Sequence, residues 1–253
     1  MLDVHPPHHS TSTLRDFFLH IATICVGLLI AIGLEQTVEA IHHHHQRHQL
    51  NEDLITEAES NQQVIARNLR MHDLEPWFVT AETAIAAASP KDGKLHLTLP
   101  PPPWVPGSLG TAEIRYFAPS EAVWTAAKES GLIALLPVEQ TRMEARLAHN
   151  YLLLGAARDR VYDDCESIIA MRQRLSQPGP KGSPDLWTLT PEQAEKLSIA
   201  ASETKVAIQA LLFRLRWSQV YEEGIAKGET KADVNMMTID QTRFEDPEDQ
   251  DTK

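Results

Sequence analysis

Apolar residues are distributed along this chain in two ways, and the change from one to the other divides it. From Phe17 to Leu34 (FFLHIATICVGLLIAIGL) they are nearly continuous, with His20 as the one ionisable side chain. A helix over that run rises about 27 Å, close to the ~30 Å hydrocarbon core of a bilayer. The run therefore predicts a transmembrane anchor, residues 14–36 with its flanks. Two other readings compete. One is a cleaved signal peptide, with Ala31-Ile32-Gly33 as small residues before the cut. The other is a buried helix of a soluble domain. The acidic, His-rich start (MLDVHPPHHSTST, no Lys or Arg) and an apolar run longer than the roughly 7–15 residues of a signal peptide favour the anchor. Pro6-Pro7 keeps residues 1–13 out of the helix, and Ser12 or Thr13 can cap it.

Beyond Leu34 the apolar residues thin out to helical spacing: Val38, Ile41, Leu50, Leu54, Ala58, Ile65, Leu69. With no Pro or Gly between Glu35 and His72, one rod is expected from the anchor to about residue 71. Pro76 ends it, and Trp77 to Ala88 forms a shorter helix. Residues 89–110 (SPKDGKLHLTLPPPPWVPGSLG) read as a Pro-rich loop, with prolines 100–103 stiffened as polyproline II. Pro103-Trp104-Val105-Pro106 has the form of a docking peptide; the preferred reading is a rigid loop whose Trp104 is tucked onto the bundle. Leu95, Leu97 and Leu99 alternate with polar residues, as in a short, isolated edge strand.

Ser120 is placed to cap a helix running through Trp124 to Ser130, closed by Gly131. Pro137 opens a long helix, about 138–176. Its seam is Leu147, Tyr151, Leu154, Arg158, Val161, Cys165, Ile168, Arg172 and Leu175, in steps of four and three. A Gly/Pro/Ser loop then reaches about residue 189. Thr190-Pro191-Glu192-Gln193 has the form of a capping box. The helix after it shows the same rhythm (Leu197, Ala201, Thr204, Ile208, Leu211, Leu215) and frays near Lys227-Gly228. The expected fold is all-α: an N-terminal transmembrane helix continuing into an antiparallel helical bundle, residues 37–228. Residues 229–253 carry eight acidic and three basic side chains, the composition of a disordered tail.

Composition narrows the function. A net charge of -12 argues against a nucleic-acid binder and against a domain held to anionic lipid by charge. Cys25 and Cys165, the two cysteines, are too far apart in context to suggest a disulfide framework. No phosphate loop, GxSxG, HExxH or CxxC occurs, so no catalytic residue is assigned and no cofactor is implied. Arg15 and Arg47 flank the anchor evenly, and the free amino terminus tips the orientation toward the main domain lying outside the cytoplasm.

Several residues are candidates for chemistry. His42 to His45 and His48 cluster beside the anchor. On a helix His44, His48 and Glu52 share one face at i, i+4 and i+8, a spacing at which imidazoles can bridge a divalent transition metal. The same imidazoles would gain charge in mild acid. His20, one turn inside the anchor, is close enough to its end to reach the interface. Asp163-Asp164 and Glu222-Glu223 are adjacent pairs that do not face each other on a helix, and read as solvated surface. Arg158 and Arg172 interrupt the apolar seam and are expected to pair with acidic groups of a neighbouring helix or to snorkel outward. Cys165, on the seam without an activating base, reads as a small buried hydrophobe.

The block DVHPPHH followed by F-x-x-H-I-A-T-I-x-V-G-L-L-I-A-x-G-L-E, Val38-Glu39 and the histidines resembles the N-terminal anchor of a group of uncharacterised bacterial single-pass membrane proteins. The segment Ser120 to Leu132 is similar to a recurring helix in the same group. The resemblance implies a bacterial membrane location and a helical domain, and no activity. The resulting expectation is a non-enzymatic interaction or assembly module, inserted in lipid through residues 17–34, which binds a protein partner or itself through its helical faces. The alternative is a metal-binding or pH-responsive sensor built on the juxtamembrane histidines.

Overall fold

The computed structural model describes residues 14–104, 116–180 and 183–229. The chain divides into two compact units, Met1–Gln49 and Leu50–Lys253. Residues 1–13 and the acidic segment after Glu229 lie outside the described residues, and with them the expectations placed there.

Helix α1, Leu14–Leu69, begins in the first unit. Its apolar run is bare on all sides: Ile32, the least exposed of the large apolar residues there, still shows 41% of its surface. No residue of the most apolar 18-residue window is buried among the described residues, unlike a typical core helix of a soluble domain. The helix is long and apolar enough to cross a membrane. Its hydroxyls are satisfied within the helix: Thr23 donates to the Leu19 carbonyl at 2.8 Å and Thr37 to that of Gly33 at 2.7 Å.

In the second unit the remainder of α1 runs to Leu69 and tightens into a 3-10 turn, Arg70–Leu74. It is followed by α2 (Glu75–Ala87), β1 (Leu95–Leu99), α3 (Ala122–Ser130), a second 3-10 turn (Leu132–Leu135), α4 (Val138–Leu175), β2 (Ser176–Gln177), β3 (Asp185–Leu189) and α5 (Pro191–Ala226). α4 and α5 form an antiparallel hairpin. The core gathers Ile65 of α1, Phe78 of α2, Leu154 and Ile168 of α4, and Leu197, Ile208 and Leu215 of α5, all fully buried. This is the expected all-α bundle, with a small sheet added. The capping box of α5 forms as expected: the Thr190 N–H donates to Gln193 Oε1 at 2.9 Å and Gln193 N–H to Thr190 Oγ1 at 3.2 Å. Gly131 closes α3 with φ 77°, left-handed backbone that glycine adopts without penalty.

The sheet corrects two expectations. β1 is paired, antiparallel to β3, with Leu97 opposite Trp187 and Leu95 opposite Leu189, and β2 pairs the other side of β3. The stretch read as loop to residue 189 therefore contains a strand. Its alternation of buried Asp185, Trp187 and Leu189 with outward Leu186 and Thr188 matches that of β1. The buried Asp185 explains Arg172: the guanidinium pairs with that carboxylate at 2.5 and 3.2 Å, a strand residue rather than a helix neighbour. Arg158 pairs with Asp159, the next residue on its own helix, and lies over the Tyr116 ring at 5.5 Å. Trp104 is buried as expected, stacked on Phe78 at 5.2 Å and edge-on to Trp77, while Trp77 Nε1 donates to the Pro100 carbonyl at 2.8 Å. The rest of the P-x-x-P stretch, Val105 and Pro106, lies outside the described residues.

Candidate functional site

The seams of α1, α4 and α5 carry polar residues where the four-three rhythm calls for apolar ones, and these meet in the second unit. On α1 the buried positions are Leu50, Leu54, Ala58, Asn61, Ile65 and Asn68. Asn61 pairs with the backbone of Ser120, accepting from its N–H at 2.7 Å and donating to its carbonyl at 3.0 Å. Asn68 does the same with Phe117, at 3.0 and 2.7 Å. Glu57, one turn before Asn61, takes the Ser120 hydroxyl at 2.6 Å and the Ala122 and Val123 N–H groups at 2.8 and 3.2 Å. A carboxylate from α1 thus satisfies the free donors at the start of α3, and favours the positive end of its dipole. Glu121, not the expected Ser120, is the N-cap residue and makes no side-chain cap bond, while the Ser120 hydroxyl accepts from Ala122 N–H at 3.2 Å.

Glu222 of α5 lies at the centre. Its Oε1 accepts from Asn61 Nδ2 at 2.8 Å and from the Tyr151 hydroxyl of α4, and its backbone carbonyl accepts from Gln62 Nε2 at 3.2 Å. It is 2% exposed, which overturns the reading of Glu222 as solvated surface. Glu144 of α4 is 5% exposed, and its Oε1 is buried without a hydrogen-bond partner. Both line a cavity of about 20 Å³ together with Glu57, Glu121, Ser120 and Tyr151. That is room for one water and not for a substrate. Burial pushes Glu144 up to about 8, with the neighbouring Glu222 and Glu57 charges adding to it. Burial lifts Glu222 to about 7 against the lowering effect of its bonds from Tyr151 and Asn61, and the Glu57 charge adds to the rise. The Tyr151 hydroxyl is pushed upward by its own burial and then by the Glu222 charge, so it stays a donor. Burial thus favours the neutral form of both carboxyls near neutrality.

A second feature lies between α4 and α5: an open groove of about 660 Å³. Phe213, Trp217 and Tyr221 of α5 form its apolar lining, with Trp217 and Tyr221 in ring contact at 4.0 Å. Arg146 and His149 of α4 and Arg214 of α5 edge it.

The sequence candidates fall elsewhere. His42 to His45 and His48 are exposed on α1, as is Glu52. No group of three or more His, Cys, Asp or Glu among the described residues is placed to hold a metal ion. Cys165 is buried, and burial pushes its thiol up to about 12, as befits a packed hydrophobe. Asp163 is exposed, while Asp164 is largely shielded, with one carboxylate oxygen 3.9 Å from Arg160 Nε. The missed residues, Glu144 and Glu222, stand on the seams that the sequence does show. Leu211, Leu215, Ser218, Glu222 and Ile225 continue the α5 rhythm, and Gln140, Glu144 and Leu147 extend that of α4 backward.

No protein-family model matches this chain, and neither a curated protein nor a solved structure matches it.

Proposed function

We propose that the protein is a membrane-anchored helical binding module without catalytic activity. The observation that carries this reading is the apolar run of α1, which the described residues leave uncovered and which lipid would cover. The buried carboxylates fit an architectural role, because their cavity admits no substrate, and the open aromatic groove between α4 and α5 is the surface on offer for binding. In this reading the anchor crosses a bacterial inner membrane once, as its resemblance to bacterial single-pass proteins suggests, with the bundle outside the cytoplasm.

The test is protease access to a C-terminal tag after alkaline carbonate extraction of the membranes. A tag retained in washed membranes and cut in spheroplasts supports the proposal as stated. Retention with cutting only in detergent reverses the side, and release into the soluble fraction overturns the anchor.

A further inference from the structure

The groove between α4 and α5 is a basic surface on a chain of net charge -12. Arg146 is exposed and has no ion pair among the described residues, and Arg214 spends one N–H on Asn150 Oδ1 at 3.3 Å. The neighbouring Phe213 is 45% exposed. A cationic rim beside exposed aromatic area suits an acidic segment that also carries apolar anchors. The chain supplies one. Phe244-Glu245-Asp246-Pro247-Glu248-Asp249-Gln250-Asp251 holds five carboxylates and no cation, and Met236, Met237 and Ile239 precede it.

The geometry permits the return. Helix α5 ends at Ala226, and Phe213 to Tyr221 lie roughly 12–24 Å back along it from Glu229. The fifteen residues from Glu229 to Phe244 span up to about 50 Å when extended. Tethering gives this segment an effective concentration in the millimolar range. A second copy has no such advantage, and it meets the repulsion of two strongly acidic chains.

We propose that the α4/α5 groove is the docking site of the chain's own C-terminal segment, residues 236–251, with Phe244 or the methionines on Phe213 and Trp217 and the carboxylates on Arg146, Arg214 and His149. The segment then acts as an internal competitor for any acidic partner of the groove. This inference rests on the binding-module reading for the groove's being a binding surface.

The test uses the full chain in neutral detergent micelles, with the photo-crosslinker benzoylphenylalanine replacing Phe213 and cross-linked peptides mapped by mass spectrometry. The expected result is intramolecular cross-linking to residues 236–251, shown by mixing isotopically light and heavy chains. Replacing Glu245, Asp246, Glu248 and Asp249 by Gln or Asn leaves the bundle untouched and should lower the yield about fivefold or more, as should salt near 0.5 M. Cross-links between light and heavy chains, or to detergent alone, overturn the proposal. A charge-insensitive yield overturns it as well. Loss of tail cross-links with capture of another protein in membranes would overturn this proposal and leave the binding module standing, whereas no cross-link of any kind would take away both.

Discussion

The two ends of α1 obey opposite rules. Over its first turns the side chains are apolar and bare; over its last turns asparagines are buried while most of the surface is polar. One helix thus carries an apolar stretch that the protein leaves uncovered and a polar pair that it encloses. Exposed apolar area calls for a partner outside the chain, since water disfavours it. Buried amides call for partners inside it, since an unpaired one costs far more than a paired one returns. The contrast sets a stretch long and apolar enough to cross a membrane at one end and the polar contacts of the second unit at the other.

The comparison is broken most severely at the anchor. Ile24→Arg with Leu28→Arg sets two charges at mid-span and works against insertion by roughly 6 kcal/mol; the chain should leave carbonate-washed membranes, and its retention would end the lipid reading. Next comes Asn61→Leu, which strands the Ser120 N–H and carbonyl and removes a donor from Glu222. A loss of roughly 3 kcal/mol is expected in denaturant titrations of detergent-solubilised protein. Gln63→Leu, exposed on the same helix, should change the midpoint little.

A smaller effect sharpens the picture through pH. Glu144 at about 8 and Glu222 at about 7 both sit above the ordinary carboxyl value of 4.5, so the folded chain holds protons that the unfolded chain releases. Stability should therefore be highest near pH 4.5, as far as these two groups decide it, and fall as pH rises through 7 and 8. Glu144→Gln keeps the neutral shape, and should flatten that slope and raise stability at pH 8 by about 2 kcal/mol, read from melts at pH 6 and pH 8. The smallest change is expected from replacing His42, His44, His45 and His48 together by Gln. Exposed side chains at these positions should shift stability by less than ~0.5 kcal/mol, with zinc or without. A zinc-dependent rise confined to the wild type would support the histidine sensor instead.

Much of this fold was legible in the sequence because its signals are local. Proline and glycine mark the helix ends, Thr190 and Gln193 spell their own cap, and the four-three rhythm of α4 and α5 names most of the core. The two misreadings have different causes. The Gly, Pro and Ser residues of 178–184 mask the strand that follows them, and pairing Glu222 with Glu223 hides its place on the seam of Leu215 and Ser218. Whether a seam polar residue is enclosed depends on a partner far along the chain, as Glu222 depends on Tyr151 and Asn61. No local pattern carries that information. The groove was illegible for a similar reason, since Arg146 and Trp217 become neighbours only when α4 folds back on α5.

The twin asparagines also act as a gauge. Asn61 and Asn68 are seven residues apart, about 10.5 Å along a helix. Their backbone mates Ser120 and Phe117 are three apart, about 10 Å only where the chain is nearly straight. Two turns of one element are thus commensurate with three links of another, as on a vernier scale. One residue inserted between Phe117 and Ser120 would leave either mark readable but never both, so the phase of the helix and the path of the following segment must change together.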